Sequence, residues 1–155
     1  MFVGWNNYFY LVGSAGGGLI GLLFVVVTLT AGSERSQALY GAKVYFTPTA
    51  IHFAVVLSIS AVAIAPGLSV PATAGLFGLI ALVGLFHAAQ ACVSIGSRRA
   101  ATAHWSDFWM YGAGPTVIYI ALVAAAVATA GRFPWSVHAL AALLLTLLLT
   151  AIRNA

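Results

Sequence analysis

The chain has 155 residues, 63% of them hydrophobic and 5% charged, with a net charge of +4 and a mean hydropathy of +1.06. A soluble domain of this length cannot build a charged surface from eight charged side chains, so its main solvent is lipid. The six basic residues are spread over four loops or ends with no basic stripe, which excludes nucleic-acid binding.

The expected architecture is an all-α, polytopic bundle of five transmembrane helices in a single domain, 1–155. A helical span needs about 20 apolar residues, so five spans and short loops use up the chain. The first span covers about 7–31, with Gly32 as a C′ residue. Residues 1–33 hold no Lys or Arg, unlike a secretory n-region, so this segment reads as a retained span. It carries Gly13, Gly17 and Gly21 at four-residue spacing, broadened by Ser14 and Gly18. Glycine lets helix backbones approach closely in a membrane, and a glycine-rich helix is poorly stable without a partner surface. The expected partner is another span of the same chain, or alternatively a second protomer or another membrane protein; the third reading is that the face lines a pore.

The second span, 47–65, opens with Thr47 as N-cap and Pro48 at the first helical position, and Pro66 ends it. It carries His52, with Thr49 one turn away. The third span, 71–96, follows a very short loop and forms an antiparallel hairpin with the second. His87, Gln90 and Ser94 recur there at three- and four-residue spacing, flanked by Gly84, Ala88 and Ala91. Polar side chains inside a membrane are costly unless paired, so this face is expected to point inward. His52 lies roughly 6 Å into its helix and His87 roughly 13 Å, at about 1.5 Å per residue. Three readings fit these groups: interhelical hydrogen bonds, a polar conduit or proton relay, and ligation of a haem, pigment or metal. Two histidines without a carboxylate make a poor hydrolytic metal centre. The single cysteine, Cys92, excludes an intrachain disulfide and reads as a small packed residue.

The fourth span, 107–130, begins at Asp107, a carboxylate suited to a helix start, with His104 nearby. Gly112-Ala-Gly114-Pro115 predicts a kink at Pro115. The fifth span, 134–152, opens with Pro134 and holds His138 in its first turn.

Arg35, Lys43, Arg98, Arg99 and Arg153 fall on one side of a five-span chain and only Arg132 on the other. The positive-inside bias then predicts an external N-terminus and a cytoplasmic C-terminus. Trp5, Tyr8, Phe9 and Tyr10, with Phe133 and Trp135, mark the outer interface. Trp105, Phe108, Trp109 and Tyr111 mark the inner one, as amphipathic rings prefer.

No phosphate loop, His-Glu-x-x-His or Ser-His-Asp set occurs, and the only carboxylates, Glu34 and Asp107, lie outside mid-membrane. Enzymatic and ion-coupled mechanisms therefore lose ground. The segments Gly17-Gly18-Leu-Ile-Gly21-Leu-Leu-Phe-Val and Tyr45-Phe-Thr47-Pro48-Thr49-Ala-Ile-His52-Phe resemble small multispanning bacterial inner-membrane proteins without assigned function. Some of those are labelled modulators of a membrane protease. The resemblance implies a multi-pass bacterial inner-membrane setting and a regulatory partner role. The expected function is non-enzymatic: a protein acting through helix packing, as a homo-oligomer or accessory subunit. The alternatives are a channel for a small solute or ion, with His52, His87 and Gln90 along the path, and a haem- or pigment-binding subunit.

Overall fold

The computed structural model describes residues 2, 4–30, 46–97, 106 and 108–155. These residues form helices and turns, and five helices are long and apolar enough to cross a membrane. They are α1 (Asn6–Thr30), α2 (Thr47–Ile64), α3 (Val70–Ser97), α4 (Gly114–Ala130) and α5 (Ser136–Asn154). A π-helical segment, Phe108–Ala113, runs directly into α4 and completes the fourth span. Asp107, His104, Trp105 and the charged residues of 34–43 and 98–99, on which the expected sidedness rests, lie outside the described residues.

The helix ends follow local chemistry. Pro48 stands at the start of α2, where its missing N–H costs nothing. The turn to α3 uses Gly67 at φ 76°, a left-handed conformation that suits glycine. The end of α4 is a Schellman turn: Phe133 N–H donates to the Ala128 carbonyl (3.1 Å) and Arg132 N–H to the Thr129 carbonyl (2.9 Å). Arg132, with φ 58°, takes the left-handed position that glycine usually fills. A second turn, in which the Ser136 N–H donates to the Phe133 carbonyl at 3.1 Å, takes up Pro134 and Trp135, so α5 begins at Ser136 rather than at Pro134. Near Pro115 the chain changes helix type: π-helical turns precede it and α-helix follows. The Thr116 hydroxyl donates back to the Gly112 carbonyl at 2.8 Å, one turn earlier.

The bundle has a core and two flanks. Within their most apolar stretches, 50% of α2 and 44% of the fourth and fifth spans are buried, against 22% of α1 and α3. Phe9, Phe53, Ile59, Phe77, Tyr119 and Leu144 meet in one continuous cluster. On one flank α1 packs mainly on α2, and on the other α3 packs mainly on α4. Cross-links of polar groups brace the ends. Tyr8 Oη–H donates to the Ala141 carbonyl at 2.6 Å, and Tyr111 Oη–H to the Asn154 carbonyl at 3.0 Å. Asn154 Nδ2–H returns a bond to the Met110 carbonyl at 2.8 Å. Several aromatics expected as interface anchors are therefore also structural. Phe9 is wholly buried, and the Trp5 ring meets the His138 ring edge-on at 5.0 Å.

Candidate functional site

The polar centre of the bundle is a pair that joins α2 to α4. His52 lies on the buried side of α2, one turn after Pro48 and Thr49, and neither its ring nor that of Tyr119 is exposed. His52 Nδ1 and Tyr119 Oη are 2.8 Å apart, a hydrogen bond whose donor is set by the imidazole tautomer. His52 Nε2 is buried with no hydrogen-bond partner among the described residues. Gly84 of α3 makes the arrangement fit. A Cβ built there would overlap the edge of the Tyr119 ring, so the absence of a side chain leaves room for the ring. Three helices thus meet at His52, Gly84 and Tyr119.

The polar face expected on α3 does not share this centre. Gln90 and Ser94 are exposed on the outside of the bundle, and His87 is half-buried beside Phe86, with ring centroids 5.5 Å apart. The inward side of α3 is instead Thr73, Ala74, Phe77, Ala81, Gly84 and Ala88. Small residues win that side because α4 can close on them. Gln90 stands about 200° around the helix from Ala88, at about 100° per residue. Within one chain, then, His52 and Gln90 do not line a common path. His52 is wholly buried in the bundle. Among the described residues no three His, Cys, Asp or Glu side chains come together.

The glycine face of α1 is divided. A Cβ at Gly13 would stand 2.8 Å from Ser60 Cβ, and one at Gly16 would stand 3.1 Å from the Phe53 carbonyl oxygen. Gly17 meets Leu57 at ordinary contact distance. These three residues seat α1 against α2. Ser14, Gly18 and Gly21 face outward, and nothing lies within 4 Å of a Cβ at Gly18 or Gly21. The reason is helical pitch. A strict four-residue repeat advances about 40° past a full turn at each step, so Gly21 has rotated off the face that Gly13 occupies. Below the close contact the two helices leave an apolar groove of about 440 Å³, bordered by Ile20, Leu23, Phe24, Ala50 and Ala54.

Sequence reading missed Gly16 and Tyr119. Gly16 was legible from the run Phe9, Val12, Gly13, Gly16, Leu23, whose spacing follows the buried face. Tyr119 gave a weaker signal: a hydroxyl-bearing ring in mid-span, where an unpaired hydroxyl would be costly. No protein-family model, curated protein or solved structure matches this chain.

Proposed function

We propose that this is a non-enzymatic integral membrane protein that works through helix packing, as a homo-oligomer or as an accessory subunit of a larger membrane complex. The observation that carries the reading is the outward stripe Ser14, Gly18 and Gly21 on α1. Glycine lowers helix stability by about 1 kcal/mol per residue, and a Cβ at either of these two glycines would meet nothing within 4 Å among the described residues. A helix from outside the chain is the natural user of such a surface in lipid. The channel reading needs His52, His87 and Gln90 on one path, and their division between inside and outside favours packing instead. The likeness of residues 17–25 and 45–53 to small bacterial inner-membrane proteins supports that membrane as the setting. The basic-residue count supports an external N-terminus and a cytoplasmic C-terminus.

Photo-crosslinking in the native membrane tests this reading. A photoreactive side chain at Leu22 on α1, or at Phe86 on α3, is expected to yield adducts with protein from at least one of the two. Adducts with lipid alone at both positions would contradict it, as would solute flux through vesicles that contain only the purified chain.

A further inference from the structure

The fourth span is built around a proline, and a proline inside a helix leaves one carbonyl without its N–H partner. In an α-helical register that carbonyl belongs to Tyr111, four residues before Pro115. In a π-helical register, where bonds reach five residues, it belongs to Met110. The structure has the second form: Phe108–Ala113 is π-helical and leads into Gly114 and Pro115 at the start of α4. Gly114 makes room for it, because a Cβ there would stand 2.7 Å from the Trp109 carbonyl oxygen.

What selects this register sits on another helix. Asn154, at the end of α5, donates its Nδ2–H to the Met110 carbonyl at 2.8 Å. That is the carbonyl that Pro115 deprives of a partner in the π register and in that register alone. The Asn154 carbonyl is itself among the last of α5, which a helix leaves without internal donors, and it accepts from Tyr111 Oη–H at 3.0 Å. The two bonds are reciprocal, and each supplies a partner that the acceptor's own helix lacks.

A second fit depends on the same register. Gly112 lies against Cys92 of α3, where a Cβ would stand 2.8 Å from Cys92 Cα and 3.3 Å from its Sγ. Backbone meets backbone there because Gly112, and no residue with a side chain, is aimed at Cys92. Rewinding 108–113 as α-helix rotates the residues ahead of Pro115 by up to about 100°, one residue's worth. Gly112 then turns away from Cys92, and the Cβ of a neighbouring residue is brought towards a space too small for it.

We propose that Asn154 is a latch that sets the register of the fourth span. Bonded to Met110, it holds the π-helical form and keeps α3 close at Cys92. When it lets go, the segment rewinds to α-helix, the unpaired carbonyl passes to Tyr111, and α3 parts from the fourth span at that end of the bundle. The device belongs to a single chain, so it stands whether or not the chain assembles.

Two readouts on the full chain in phosphatidylcholine nanodiscs test the latch. Methionine occurs only at positions 1 and 110, so carbonyl-labelled methionine gives two carbon resonances, and alkylation by N-ethylmaleimide reports on Cys92, the single cysteine. Asn154→Leu removes the donor at similar size. It is expected to shift the Met110 resonance and to speed alkylation of Cys92 about tenfold, the population change that loss of one hydrogen bond brings. Gly114→Ala leaves Asn154 intact and opposes the π form through the Trp109 carbonyl, so it is expected to move both readouts in the same direction. Tyr111→Phe only loosens the aim of Asn154 and is expected to move both by less. Unchanged readouts in Asn154→Leu would overturn the proposal. So would a shifted Met110 resonance in Asn154→Leu with Cys92 alkylation unchanged there and in Gly114→Ala, because Asn154 would then cap a carbonyl without setting a register. Where the first two variants do not fold, Tyr111→Phe carries the test: movement of both readouts supports the latch, and movement of neither overturns it.

Discussion

Gly84→Ala is expected to destabilise the bundle by about 3 kcal/mol, at the upper end of the usual cost of overfilling a packed core. The new Cβ would overlap the edge of the Tyr119 ring, so either the ring or α3 has to move. Moving the ring also breaks the bond to His52 Nδ1 and leaves an imidazole with both nitrogens buried and unpaired. Thermal unfolding in detergent measures the loss. Gly75→Ala on the same helix is the control. A Cβ there meets nothing within 4 Å, so the substitution is expected to be neutral or slightly stabilising. Combining Gly84→Ala with Tyr119→Leu removes the colliding ring and should recover part of the loss, since the two sites are in contact. Wild-type stability for Gly84→Ala alone would show that Tyr119 does not occupy the slot.

The second large effect is expected at Gly13. Leucine there places a full side chain where Ser60 Cβ already stands 2.8 Å from the Cβ position, and Ser60 sits on a packed helix that cannot yield. Because α1 packs mainly on α2, this change detaches the flank, with an expected cost of about 3 kcal/mol or more. Gly21→Leu, eight residues along the same helix, should leave the fold stability within about 0.5 kcal/mol, as expected of a substitution in open space. The contrast is read by protease resistance of the solubilised protein or by its melting temperature. Equal damage at both positions would contradict the division of the glycine face.

The spans were legible because hydropathy, prolines and glycines act locally. Thr47-Pro48 and the Pro66-Gly67 turn bound α2 within a residue of where the sequence puts its ends. Helix rotation was less legible. It depends on which residues let a neighbour come close, and burial of small side chains outweighed burial of polar ones on α3. The rule that intramembrane polar groups face inward holds for His52 and Tyr119, which have each other. It fails for Gln90, which is exposed on the outside of the bundle. The four-residue glycine repeat misled for a related reason: it is regular in sequence and drifts around a helix of about 3.6 residues per turn. The start of α5 shifted because a turn after the left-handed Arg132, closed by Ser136 N–H on the Phe133 carbonyl, takes up Pro134 and Trp135. The π-helical turns before Pro115 were foreshadowed by Gly112 and Gly114. A Cβ at Gly112 would press on Cys92 Cα at 2.8 Å, and one at Gly114 on the Trp109 carbonyl oxygen at 2.7 Å.

Seen from the membrane, the molecule keeps its histidine–tyrosine pair inside and offers a partner two flanking helices, one with exposed glycine and serine, one with an exposed amide. That distribution supports the proposed reading, in which the protein works through its outer surface. In the function proposed, the chain acts as part of an assembly. Native mass spectrometry of the wild-type protein, released from its membrane in mild detergent, tests it most directly. The account predicts a species of at least two 16.0 kDa chains, or one chain with another membrane protein. A single 16.0 kDa chain with no protein partner, across detergents that preserve its fold, would contradict it.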